Sequence, residues 1–196
     1  MSLQAFLQLA LQTVLAPRDV ARLLISARLA REALLTAFAL VVALNTLVFA
    51  GMAALMPPDP SVAIGNLSPL AFMLLLGGSV VTAAVVITWA GRAMGGTAQF
   101  EDIALLLIWL QALRFLMQVA LILISLVLPG AGVLLVIAAA VAGLWILLNF
   151  IDAAHGFGSL GKSVFVLFIS LLGAVVGLSI LLSLVGTSTL GLSDYV

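Results

Sequence analysis

Apolar runs long enough to cross a bilayer alternate along this chain with short polar breaks, a pattern that predicts membrane-spanning helices. A hydrocarbon core roughly 30 Å thick needs about 20 helical residues. Residues 103–151 supply that length twice and are interrupted sharply only at Pro129-Gly130. They predict a hairpin of two spans, 103–128 and 131–151. A span over 33–56 is ended by Pro57-Pro58-Asp59-Pro60, because proline donates no backbone hydrogen bond and pushes its predecessor out of the helix. After a polar loop to Asn66, a further span covers 67–90 and stops at Gly91-Arg92; the last runs over 163–185. Glu101 and Asp102 open the third span, where acidic side chains suit the positive helix terminus.

The start of the chain has a different period. Leu3, Phe6, Leu7, Ala10, Leu11 and Val14 recur at three and four residues, while Gln4, Gln8 and Gln12 gather on another face, the mark of an amphipathic helix. It is too short to span and is expected to lie in the membrane interface. Docking onto the bundle or a partner is the alternative. Its charges follow the apolar run rather than precede it, so it is read as retained and not as a signal peptide. Pro17 suits the first turn of a second helix, carried through Arg18, Arg22, Arg28 and Arg31, whose side chains are expected to reach anionic headgroups.

Composition turns this pattern into a class. The chain of 196 residues is 65% hydrophobic and 7% charged, against about 45–50% apolar and 25% charged for soluble domains. An all-α polytopic membrane bundle of five spans follows, with residues 1–32 as an amphipathic cytoplasmic region, 33–186 as the membrane domain and 187–196 as a tail. The formal net charge is zero and no long basic run marks a nucleic-acid surface. Without cysteine there is no disulfide, thiol nucleophile or thiolate metal site. One histidine and scattered carboxylates make a protein-only metal site unexpected, and no cofactor motif is present.

Arg18, Arg22, Arg28 and Arg31 precede the first span, Arg92 lies between the second and third, and Lys162 lies between the fourth and fifth. With five spans, all six fall on one side. The positive-inside bias then predicts a cytoplasmic N-terminus and an extracytoplasmic C-terminus, in a cell inner membrane. Removing any one span would scatter the charges over both faces.

Arg114 is the one full charge within the hairpin spans, near mid-depth, and Gln111 and Gln118 share its face. A guanidinium there costs about 2.5–3.5 kcal/mol on insertion scales and must face protein or water. A structural clamp to Asn45, Asn149 or backbone carbonyls inside the bundle is the favoured reading; contact with an ion, lipid headgroup or substrate is the alternative. Asn149, Asp152 and His155 follow at three-residue spacing toward the cytoplasmic surface, with Lys162 beyond. Without a nucleophile or an acid and base pair, they suggest capping and binding rather than catalysis. The glycines beside them match no phosphate-loop spacing. Gly173 and Gly177 form a small-xxx-small motif for close helix approach, either within the chain, with Ala138-Ala139-Ala140, Ala142 and Gly143 as a partner face, or in a homodimer.

Gly95-Gly96-Thr97-Ala98-Gln99-Phe100, Trp145, and His155-Gly156-Phe157-Gly158-Ser159-Leu160-Gly161-Lys162-Ser163 together resemble the prokaryotic branch of the Yip1 family. The resemblance covers roughly residues 17–185. It implies a cytoplasmic N-terminal region, five clustered spans and a non-enzymatic membrane organiser or adaptor working through lipid or protein partners. The eukaryotic relatives' role with prenylated GTPases is not carried over, since their acidic N-terminal region and aromatic-rich motif are not found here. A small transporter or channel subunit built on Arg114 is the alternative function.

Overall fold

Helix starts are written in local chemistry. Ser68 caps the chain ahead of Pro69, its hydroxyl accepting from the Ala71 amide at 3.1 Å, and Asp102 Oδ2 accepts from the Gln99 amide at 3.0 Å; each satisfies an N–H the helix itself leaves unpaired. Pro17 opens its helix as its fixed φ predicts. The computed structural model describes residues 3–55, 67–128, 130 and 132–185. Over these the chain forms α1 (Leu3–Leu15), α2 (Pro17–Ser26), α3 (Arg31–Leu55), α4 (Pro69–Ala93), α5 (Phe100–Val127), α6 (Gly132–His155) and α7 (Leu160–Val185). The last five are long and apolar enough to cross a membrane. The breaks expected at residues 57–60 and at Pro129, the loop to Asn66 and the tail 187–196 lie outside the described residues.

One expected element is divided. Instead of running through Arg31, α2 stops at Ser26, and Arg28 sits in the left-handed region with φ 42° before α3 begins. Arg28 and Arg31 therefore do not share a helix with Arg18 and Arg22.

Lipid is as apolar as leucine, so close packing and hydrogen bonds, rather than burial of an apolar stripe, hold these spans together. The closest seam joins α4 to α7. Buried Ser163, Val166 and Ser170 continue along α7 into Gly173 and Gly177, a line at alternating three and four residues that keeps one face on its partner. A Cβ on Gly173 would lie 2.7 Å from Val86 Cγ1, and one on Gly177 would strike Thr82. Both glycines thus serve packing within the chain, against α4 and not against the alanine run of α6, where Gly143 faces open space. Thr46 and Thr88 return their hydroxyls to carbonyls four residues back, so polar groups enter the spans at little cost.

The bundle is tight at one end and open at the other. Its main core, including Leu34, Val41, Ala84, Ile87, Ile103, Leu107, Ile151 and Val166, lies toward the end where α4 and α6 finish and α5 and α7 begin. Among the described side chains, none in α5 beyond Leu113 and none in α6 before Ile146 is buried. At the open end α3 stays with α4, where Phe49 stacks on Phe72 at 4.1 Å and both helices pack around Leu67 and Ala71.

The N-terminal helices exist as expected, and α1 and α2 are docked on the tight end. Trp109 Nε1 of α5 donates to Thr13 Oγ1 at 3.0 Å, and Phe6 meets the Trp109 ring edge-on at 5.3 Å. Ala21 of α2 packs with Leu106, Ile146 and Phe150. Leu7, Leu11, Val14 and Leu15 of α1 remain exposed, a second apolar flank available to lipid.

Candidate functional site

The polar groups at the tight end converge on the last two turns of α6. Asn149, Asp152 and His155, at three-residue spacing, are all buried. Asn149 Nδ2 donates to the Trp145 carbonyl at 2.8 Å within its own helix. Asp152 works between elements: Oδ1 accepts from the Ser159 amide at 2.8 Å, and Oδ2 lies 2.9 Å from Arg18 Nε in an ion pair. Its backbone carbonyl accepts from the Phe157 amide at 3.2 Å. Gly156 and Gly158, at φ 67° and 62°, let the chain reverse tightly enough for Ser159 to return to the carboxylate.

Arg18 was expected at lipid headgroups; the structure spends its guanidinium on a protein carboxylate instead. Asp152 is 4% exposed and Arg18 40%, so the carboxylate is the member that needs the pair. A buried carboxylate without a counter-charge or hydrogen bonds is strongly disfavoured, and α2 brings the counter-charge.

His155 closes the same end by shape. Its ring fills the space left by Gly91 at the end of α4 and by Gly96 before α5, where a Cβ on either would collide with the imidazole. Gly96 N–H donates to the Gly91 carbonyl at 2.8 Å, and Thr97 N–H to the His155 carbonyl at 3.3 Å. The imidazole stacks on Phe157 at 5.0 Å and 14°. Neither ring nitrogen has a hydrogen-bond partner among the described residues, with the Ile87 carbonyl beside the ring. Lys162 Nζ stands 5.5 Å over the same Phe157 ring, within cation–π range. Around the rim, Arg92 donates from Nε to the Ala98 carbonyl at 2.9 Å and from Nη2 to Gln99 Oε1 at 2.7 Å.

Asp152, His155 and Lys162 are therefore brought to one end, each held through a different neighbour. The Gly95-Gly96-Thr97 and His155-Gly156-Phe157 segments, far apart in sequence, meet there as lock and slot. A Yip1 domain family model matches residues 11–181. The chain belongs to the Yip1 domain family. Neither a curated protein nor a solved structure matches it. Membership accords with the five apolar helices and makes this an integral, multi-pass membrane protein, with the bilayer as its surroundings.

The intramembrane cluster is not assembled as expected. Asn45 Nδ2 donates to the Val41 carbonyl at 2.8 Å and to the Gln111 backbone carbonyl at 3.3 Å, joining α3 to α5. Arg114, however, is exposed on the outside of α5 and makes no hydrogen bond or ion pair with any described residue. Asn149 stays with α6. The clamp of Arg114 to Asn45 or Asn149 is corrected to a clamp of Asn45 on the α5 backbone, because Arg114 lies on an exposed side of α5 while the Gln111 carbonyl meets Asn45. Gln111 and Gln118 are half-buried, their Oε1 atoms without partners.

Sequence reasoning missed Arg18, Gly91, Phe157 and Ser159. Gly91 read only as a helix end; its use is to admit a ring that arrives from α6. The Arg18 to Asp152 pair joins positions that no local spacing relates.

Proposed function

We propose that this Yip1 domain protein is a non-enzymatic organiser or adaptor of the membrane that carries it, acting through protein or lipid partners at the tight end of the bundle. The observation that carries this reading is the way the polar groups there are spent. Asp152, Arg18, Arg92, Gln99 and Ser159 tie α2, α4, α5, α6 and α7 to one another, and His155 is enclosed by glycines, so the end forms a rigid platform with the docked arm α1–α2 on its side. Rigid presentation suits recognition, since little ordering remains to be done on binding.

The platform carries Arg22, Arg28, Arg31, Arg92 and Lys162. By the positive-inside bias it faces the cytoplasm, in a prokaryotic inner membrane. The test is purification of the full chain in mild detergent, wild type beside Arg18→Ala, which loosens the arm, with identification of co-purifying proteins and lipids. A partner held in fixed ratio by the wild type and reduced several-fold in the variant is the expected result. Turnover of a substrate by the purified protein that depends on Asp152 or His155 would overturn the reading.

A further inference from the structure

Arg114 is a charge in mid-membrane without a counter-charge. It is exposed on α5 and stands about 20 Å from either end of that helix at 1.5 Å per residue. One side chain cannot cover that distance to water, and a guanidinium held in hydrocarbon needs a partner. The chain has no acid to offer it. Of the seven Asp and Glu, Glu32, Glu101, Asp102 and Asp152 lie in the first or last turn of a span, Asp19 lies in α2, and Asp59 and Asp194 fall between or after the spans in sequence. The spans of a second copy therefore bring no carboxylate to this depth in either orientation.

The face around Arg114 has the pattern of a helix seam. Leu110, Arg114, Met117, Leu121 and Ile124 follow at four, three, four and three residues, within an arc of roughly 80° at 3.6 residues per turn, the repeat by which one helix packs along another. The docked arm occupies the start of this seam, where Leu110 packs on the cluster that Ala21 of α2 joins. Beyond it Arg114 and Met117 are exposed, with Leu121 and Ile124 half-buried. The helix is held from behind. Asn45 donates to the Gln111 backbone carbonyl, Leu113 belongs to the cluster shared with α2 and α6, and the side-chain oxygens of Gln111 and Gln118 are buried, which leaves Arg114 as the polar group the seam presents.

We propose that this face of α5 docks a transmembrane helix of another protein that carries a carboxylate at mid-membrane, its Asp or Glu paired with Arg114. Guanidinium and carboxylate match as two parallel hydrogen bonds, and the attraction between them grows where water is excluded. Met117, unbranched and polarizable, adapts to the side chains that pass it. Each helix alone carries a charge that hydrocarbon disfavours, so the pair is driven together, whereas a helix lacking the acid leaves Arg114 unpaired and is rejected. This surface lies outside the platform and goes beyond the organiser reading.

The probe is a membrane-spanning peptide of about 20 leucines and alanines with one central Asp, beside the same peptide with Leu in its place; a central charge makes the direction of insertion immaterial. The full chain, labelled through Thr97→Cys, is reconstituted with each peptide in phosphatidylcholine vesicles, and energy transfer to a dye on the peptide reads association. The Asp peptide is expected to bind about tenfold more tightly than the Leu peptide. Arg114→Leu should erase the difference, Arg114→Lys should keep part of it, and Arg114→Asp should prefer a peptide with a central Arg. Arg114→Leu makes the span more apolar, so it is expected to fold, and unchanged elution in detergent confirms it. Equal binding of the two peptides by the wild type overturns the proposal, as does a preference for Asp that survives Arg114→Leu. Energy transfer between two labelled copies that Arg114→Leu abolishes would make a second copy the occupant and overturn it too. Loss of the Asp preference once phosphatidylglycerol replaces part of the phosphatidylcholine would assign Arg114 to lipid phosphate instead. None of these outcomes touches the organiser reading, which stands or falls on the Arg18 variant.

Discussion

At the scale of single residues, asymmetry of burial decides what each partner of the Arg18 to Asp152 pair is worth. Removing Arg18 strands a carboxylate that is 4% exposed, whereas removing the charge of Asp152 leaves an arginine that is 40% exposed and free to turn to water. A fully buried pair costs about 3–5 kcal/mol to break from one side, and the solvent around Arg18 lowers that. We expect Arg18→Ala to destabilise by about 2 kcal/mol. Asp152→Asn keeps an acceptor for the Ser159 amide and should cost about 1 kcal/mol. The double variant should be no worse than Arg18→Ala alone. Thermal unfolding of the four proteins in one detergent checks the order, and a greater loss from Asp152→Asn would show that the Ser159 cap, not the ion pair, holds this end. Spacing had already placed Asp152 and His155 on one helix face, but nothing local could name Arg18 or Gly91 as their partners.

At the scale of the helix, glycines of equal appearance have opposite values. Gly173 meets Val86 of α4, while Gly143 of α6 has nothing within 4 Å. Gly173→Ala forces a methyl into a filled seam, with an expected loss of about 1–3 kcal/mol. Gly143→Ala meets no neighbour and should gain about 0.5–1 kcal/mol from helix propensity. Unfolding of the two variants side by side in detergent reads the difference directly, and equal effects would remove the α4 to α7 seam as the reason for the motif. The small-residue pattern of α7 was legible in the sequence. Its partner was not, because α4 and the alanine run of α6 offer similarly small or apolar faces, and the choice between them depends on which helices the loops bring together.

At the scale of the whole molecule, five spans and the position of the charges specify a topology. Thr97 is exposed at the platform, on the side expected to face the cytoplasm. In intact cells, Thr97→Cys should resist an impermeant thiol reagent and react only after lysis, whereas Ser61→Cys and Ser193→Cys should react from outside. The natural chain has no cysteine, so the signal has no background. Labelling of Thr97→Cys in intact cells would reverse the orientation.

Length and hydropathy by themselves determined that the chain crosses the membrane five times, because the thickness of the hydrocarbon and the rise of a helix leave no other use for such runs. Proline, serine and acidic residues likewise marked helix starts, since capping involves only neighbours in sequence. The tertiary structure decided how the faces are used. In lipid an exposed leucine carries no penalty, so a span's outward and inward faces look alike in sequence, and even Arg114, read as an inward residue on its cost, lies outside. Which end is tight, that α1 docks through Thr13 and Trp109, and that Gly91 and Gly96 exist to receive His155 depend on contacts between distant segments. Those contacts are set by steric fit across helices, which no periodicity along one helix records.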